Sequence, residues 1–233
     1  MNRTPWLDTL RGFAVLWMTI FHFSFDLNYF GFIHQNFYHD PFWTMQRTCI
    51  LSLFLFCAGF GQALAVKNGQ TWARFGRRWL QIAVCALAVS AGSAVMFPNS
   101  WIYFGVLHGM AVMLLICRAT AAWGAWLWIV GAVAIGLGNF PPVTFDAPAW
   151  NWIGLISRKP ITEDYVPILP WLGVMWWGMA AGLRWKGNLP TIRPLAWLGQ
   201  WSLPWYMLHQ PVLMGLLGLL GLFTGYKNFF VGQ

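Results

Sequence analysis

The stretch Leu7 to Gly31, LDTLRGFAVLWMTIFHFSFDLNYFG, sets an arginine, a histidine and an aspartate at helical spacing inside an apolar run. At about 100° and 1.5 Å per residue, Arg11 and His22 are nearly three whole turns apart, so they share one stripe and stand roughly 16 Å from each other. Asp26 extends the stripe by one further turn. Ionisable groups at bilayer depth are costly and face protein or a watery cavity. An imidazole is the side chain whose charge changes most readily near neutral pH. The bland alternative is that His22 and Asp26 bond each other and only lock helix packing. Four more histidines stand elsewhere: His34 and His39 in FIHQNFYHDPFW, His108 in FGVLHG and His209 in YMLHQP. His34, His39 and Asp40 make a weak metal-ligand pattern whose ordinary reading is a solvated loop. His108 and His209 lie in apolar runs, either as buried histidines bonded to a carbonyl or as walls of a cavity shared with His22. Pro211 should disturb its helix and free backbone groups beside His209 and Gln210.

The elements that position these residues follow from composition. Of 233 residues, 58% are hydrophobic, 18% aromatic and only 9% charged, whereas about a quarter of a soluble domain is charged. So few charges cannot cover a water-soluble globule of this size, and the chain reads as embedded in a bilayer. With 18 Trp and 19 Phe it is neither disordered nor collagen-like. The length suits one membrane domain over residues 1–233. The net charge of +8 would suggest nucleic acid in a soluble protein, but its placement reads as topology, with anionic lipid as neighbour and no nucleic-acid partner. The first apolar run carries Asp8 and lacks a small-residue cleavage site, so it reads as a retained helix. Cys49, Cys57, Cys85 and Cys117 lie in apolar runs without CxxC spacing and read as small buried side chains.

A span takes about 20 apolar residues, and seven runs of that kind are found: 10–31, 49–66, 79–97, 101–117, 122–140, 167–183 and 203–223. The expected fold is an all-α, polytopic integral membrane helix bundle of about seven transmembrane helices with a cytoplasmic N-terminus. In that orientation Arg3, Arg11, Lys67, Arg74, Arg77, Arg78, Arg118, Arg184, Lys186 and Arg193 lie inside. Only Arg47, Arg158, Lys159 and Lys227 lie outside, as the positive-inside rule asks. The one long polar segment, 141–166, falls outside with Asp146, Glu163 and Asp164. Trp101 and Tyr103 suit an interfacial belt, and Trp176 and Trp177 suit packing between helices. Gly178 and Gly182 form a GxxxG pair, read as close helix contact within the chain ahead of dimerisation.

The segment opening at Arg11-Gly12 and reaching His22, Asp26 and Leu27 resembles the N-terminal signature of transmembrane acyltransferases. The resemblance is greatest to the bacterial branch related to the heparan-alpha-glucosaminide N-acetyltransferase catalytic domain. FLFCAG at 54–59, FGVLHG at 104–109, ILPWLGV at 168–174 and GQWSLPWYMLHQPVL at 199–213 extend it over five of the seven runs. The resemblance implies an acyltransferase, with acetyl-CoA or another acyl-CoA as cosubstrate and no metal. The acyl group would pass from the cytoplasm to a hydroxyl or amine of an extracytoplasmic acceptor, a sugar or other envelope component. Localisation would be the bacterial cytoplasmic (inner) membrane. Arg11, Arg74, Arg77 and Arg78 would draw the CoA phosphates by charge and forked hydrogen bonds. The pantetheine arm would lie along the first helix toward His22, the favoured base, with Asp26 orienting it. His108, His209 and Gln210 would line the thioester, Gln210 as a donor to its carbonyl. In the heparan-modifying enzymes an Asn stands at the His22 position and the functional histidine lies in the first outer loop, so His34 and His39 remain candidates. The chain is shorter than most relatives, which leaves room for a part supplied by a partner or a homodimer. Two other classes stay open. A proton-coupled transporter would use His22 and Asp26 as a relay, though no internal repeat marks one. A noncatalytic membrane partner would resemble the enzymes and bind no CoA.

Overall fold

The computed structural model describes residues 4–224. Arg3 and Lys227, part of the charge balance above, lie outside the described residues. Eight α-helices follow in order: α1 (Pro5–Tyr29), α2 (Pro41–Lys67), α3 (Trp72–Met96), α4 (Val106–Ala119), α5 (Trp126–Asn139), α6 (Trp171–Arg184), α7 (Arg193–Gln200) and α8 (Ser202–Thr224). Among the described residues there is no strand, only one isolated bridge between Phe104 and Tyr165. The all-helical expectation holds, and each of the seven runs contains a helix. Three helices, α2, α3 and α8, are long and apolar enough to cross a membrane. The others differ from seven uniform spans in two ways. α1 is 25 residues long but carries Asp8, Arg11 and Asp26. α4, α5 and α6 have 14 residues each, about 21 Å at 1.5 Å per residue, against a hydrocarbon core of about 30 Å. The run at 101–117 is helical only from Val106, because its first residues are tied to the 141–166 segment. The short amphipathic helix α7 fell between two apolar runs and was not expected.

The chain divides into two compact units, Met1–Leu53 with Asn188–Gln233, and Phe54–Gly187; α2 runs from one into the other. In the first unit, α1 and α7 meet backbone to backbone. A Cβ on Gly12 would overlap the Leu195 carbonyl, and one on Gly199 would overlap that of Asp8. Thr9 Oγ1 accepts the N–H of Ile192, the residue that opens α7, one of the orphan donors at a helix start. α8 is pinned to α1 by the Trp205 indole, which donates to Thr19 Oγ1 at 2.8 Å. Trp17 does the same to Gln46 of α2 at 3.0 Å. Phe13, Leu16, Ile20 and Phe23 of α1 stand exposed on one stripe, the apolar face that a bilayer would cover. Between α1 and α2, Asn28 and Asn36 side chains accept loop N–H groups, and Phe37 stacks on Trp43.

In the second unit, α6 packs on α2 through the GxxxG pair. A Cβ on Gly178 would strike the Phe56 carbonyl, and one on Gly182 would strike Ala63 and the Phe60 carbonyl, so this pair is spent inside the chain. Trp176 donates to Thr120 Oγ1 and Trp177 to the Trp128 carbonyl, which is the interhelical packing expected of them. A buried indole keeps its N–H bonded, so each joins two elements. Cys57 and Cys117 are buried, but Cys49 is exposed. Charge is sorted by end. Lys67 donates to the Trp185 carbonyl, and Arg118 donates to the Gln70 carbonyl while lying over the Trp72 ring. The ends of α2, α4 and α6 that carry Lys67, Arg118, Arg184 and Lys186 thus gather with the start of α3 and its Arg74, Arg77 and Arg78. At the other end the 141–166 segment is laced to the α3–α4 connection. Glu163 N–H donates to the Ser100 carbonyl, Asp164 caps α4 at Val106 N–H, and Asn151 joins the Tyr103 and Tyr165 hydroxyls. Burial raises the Tyr165 hydroxyl above its ordinary value, so it remains a donor.

Two outcomes follow from this packing. Gly12→Ala should cost about 1–3 kcal/mol by overpacking against the Leu195 carbonyl. Gly215→Ala on α8, where a Cβ meets nothing within 4 Å, should be neutral or mildly stabilising; thermal unfolding in detergent checks both. In the 141–166 segment, the Ser157 hydroxyl and N–H hold the Asp146 carboxyl below its ordinary value. A lowered carboxyl contributes order above its ordinary range and loses it as pH falls through the lowered value. Protection of the Ser157 and Arg158 amides should therefore fade below about pH 4, and Ser157→Ala should move that onset upward.

Candidate functional site

Chemistry-bearing side chains converge where α1 and α8 pack in the first unit. His22 and Asp26 stand one turn apart on α1, and His209 and Gln210 are consecutive on α8. Gln210 Nε2 donates to Asp26 Oδ1 at 2.7 Å, a link between residues 184 positions apart. The Asp26 carboxylate is 1% exposed. The His22 and His209 rings meet edge to face, with centroids 5.1 Å apart at 69°. His209 Nδ1 lies 3.1 Å from the Trp205 carbonyl and 2.9 Å from that of Tyr206. Three polar atoms of this cluster are buried without a hydrogen-bond partner among the described residues: Asp26 Oδ2, His209 Nε2 and Gln210 Oε1. Buried polar atoms are nearly always bonded, so three unpartnered atoms in one cluster set it apart from an ordinary helix contact. α8 continues as a helix through Pro211, whose missing N–H leaves the Met207 carbonyl without its helical donor.

His22 and Asp26 are not hydrogen-bonded to each other. The carboxylate turns to Gln210, so neither the simple i,i+4 pair nor a ring oriented by Asp26 is present. Half-buried His22 has no hydrogen bond among the described residues; its neighbours are the rings of Phe21 and His209. Arg11 pairs with buried Asp8 at 3.0 Å, a partner that its i,i+3 spacing could have announced. On the stripe between Arg11 and His22, Val15 is fully buried and Met18 is 4% exposed, so both side chains are covered by protein.

The remaining candidates lie apart from the cluster or belong to the second unit. His34 and His39 are exposed in the α1–α2 loop, where His34 edges a shallow hollow with Asn28, Gln35 and Asn36. Asp40 is committed to α2, its carboxylate accepting the Phe42 N–H at 2.8 Å. No group of three metal-ligating side chains occurs among the described residues. In the second unit, His108 is fully engaged. Its Nε2 lies 3.0 Å from Ser90 Oγ, whose own proton goes to the Ile102 carbonyl, and its Nδ1 accepts the Gly105 N–H at 3.3 Å. That set makes His108 the cap of α4, with no ring nitrogen left for a thioester. Arg74 and Arg77 are exposed on the first turns of α3, with Arg78 beside them.

Comparison with known proteins bears on what this cluster serves. The family model described as heparan-alpha-glucosaminide N-acetyltransferase, catalytic, matches residues 3–211, from before α1 to just past Gln210. No curated protein and no solved structure matches the chain.

The α1–α8 link makes a quantitative forecast. Gln210→Leu strips the buried Asp26 of its donor and should cost about 1–3 kcal/mol. Asp26→Leu combined with Gln210→Leu should cost less than the sum of the two single changes, by about 1 kcal/mol or more. A double-mutant cycle on reversible unfolding in detergent reads the coupling; additive values would mean the bond carries no energy.

Proposed function

Since the chain belongs to the family of the heparan-alpha-glucosaminide N-acetyltransferase catalytic domain, we propose that it is a membrane-embedded acyltransferase using acetyl-CoA. The acceptor is a hydroxyl or amine on a sugar or other envelope component across the membrane. The observation that carries this reading is the α1–α8 cluster: two imidazoles, a carboxylate and an amide, with three buried polar atoms awaiting donors. Acyl transfer needs a base for the acceptor's proton and donors for the thioester oxygen as charge develops there. The cluster holds side chains for both tasks. His22, central in it, is a catalytic residue on this reading, and Asp26 sets the charge beside it.

The cationic end of the second unit supports a cytoplasmic donor. Arg74 and Arg77, exposed beside Arg78, suit CoA phosphates as paired charge and forked donors. Arg11, already paired with Asp8, adds less to that attraction. The same distribution of charge supports a cytoplasmic N-terminus on this reading, by the positive-inside rule. We read residues 1–233 as one domain with about seven spans, the 14-residue helices completed by their flanking segments, in a bacterial inner membrane.

The test is direct. The purified chain in liposomes, given acetyl-CoA and glucosamine, should release CoA thiol and form an acetylated product seen by mass spectrometry. His22→Ala should lower turnover by roughly 10²–10⁴-fold. Proton flux without acetyl-CoA, together with no transfer, would sink the enzyme in favour of a transporter.

A further inference from the structure

The acceptor's base need not be the histidine that the first helix advertises. His209 is 8% exposed, and its Nδ1 faces two backbone carbonyls, of Trp205 and Tyr206. A carbonyl oxygen only accepts, so Nδ1 must carry the proton. In the neutral ring Nε2 is then a bare lone pair, and it is buried with no partner among the described residues. Such an atom carries a desolvation cost that an incoming N–H or O–H removes. His22 has no comparable device, since no hydrogen bond among the described residues selects its tautomer. The titratable groups facing His209 are His22, in ring contact, and Asp26 through Gln210, both on α1, with Tyr206 on its own helix.

We propose that His209 is a catalytic residue of this site, the base that takes the acceptor's proton at Nε2, with His22 on the thioester side as hydrogen-bond donor. The assignment rests on the acyltransferase reading above and adds the division of labour between the two histidines. As the acceptor nitrogen or oxygen attacks, a bond forms to the thioester carbonyl carbon and the proton moves to His209 Nε2. The carbon–sulfur bond then breaks and CoA leaves as thiolate with the electron pair. The imidazolium returns the proton to that thiolate, so acyl-CoA and acceptor become acylated acceptor and CoA thiol. The Nδ1–H bonds to the two carbonyls persist throughout and hold the ring in place. A base locked from behind by its own helix needs no separate carboxylate to orient it, which accounts for Asp26 being turned to Gln210.

Two measurements on the full chain decide this. Nitrogen NMR on histidine-labelled protein in lipid nanodiscs, with the His209 signals assigned by their loss in His209→Asn, should show a neutral ring protonated at Nδ1. A ring protonated at Nε2 overturns the proposal whatever the kinetics. In the acetyl-CoA and glucosamine assay, His209→Asn keeps an N–H donor near the Nδ1 position and removes Nε2. It should lower kcat by about 100-fold or more, with KM for acetyl-CoA within about threefold, and abolish the acidic limb of the pH profile. Imidazole added to the buffer should restore part of the rate, which repair of a purely structural role would not do. Near-normal kcat with an unchanged pH profile in His209→Asn overturns the role and leaves the acyltransferase reading standing. No turnover in the wild-type chain overturns both.

Discussion

A carboxylate that is 1% exposed in a helix otherwise suited to lipid must be answered from somewhere, and Gln210 answers it. That hydrogen bond ties α1 to α8 across 184 residues, alongside the bond from Trp205 to Thr19. Because Gln210 follows His209 directly, holding one places the other. The His209 ring then comes against His22, and its Nδ1 comes onto the carbonyls of its own helix. A site assembled this way is half satisfied: the amide supplies one donor to Asp26, while the second carboxylate oxygen, the amide oxygen and Nε2 remain open. In a low-dielectric surrounding a partly satisfied network is costly.

Around that link the first unit is built for close approach. Gly12 and Gly199 let α1 and α7 touch backbone to backbone, and Thr9, Thr19 and Trp205 tie the elements by side-chain bonds. Hydrophobic burial alone cannot drive helices together in lipid, where tails are as apolar as leucine. Small residues and polar ties take over that task. The second unit follows the same rule with Gly178, Gly182, Trp176 and Trp177, and it sorts its charges so that cations gather at one end while Asp146, Glu163 and Asp164 stand at the other.

Several side chains have partners that their spacing alone does not announce. His108 sits in an apolar run like His209, yet it caps α4 with both ring nitrogens engaged; one sequence context permits both fates, and the neighbours choose. Arg11 keeps its stripe position but spends charge on Asp8, and Val15 and Met18 beyond it are buried. His22 and Asp26 share a face at i,i+4, but rotamers turned them to different partners. Three helices fell to 14 residues because the connections at 97–105 and 140–170 are bonded to each other instead of continuing the turns.

By itself the sequence determined the bilayer as solvent, the approximate location of each long helix, the family and the register that puts Arg11, His22 and Asp26 on one stripe. Those are local or compositional properties, read from period, hydropathy and motif. Only the tertiary structure decided that Asp26 belongs to Gln210, that the His209 ring meets that of His22 while His108 caps α4, and which His209 ring nitrogen stands bare. Such choices depend on which helices are neighbours and how their side chains turn, and a bond between residues 26 and 210 leaves no trace in the spacing of either segment.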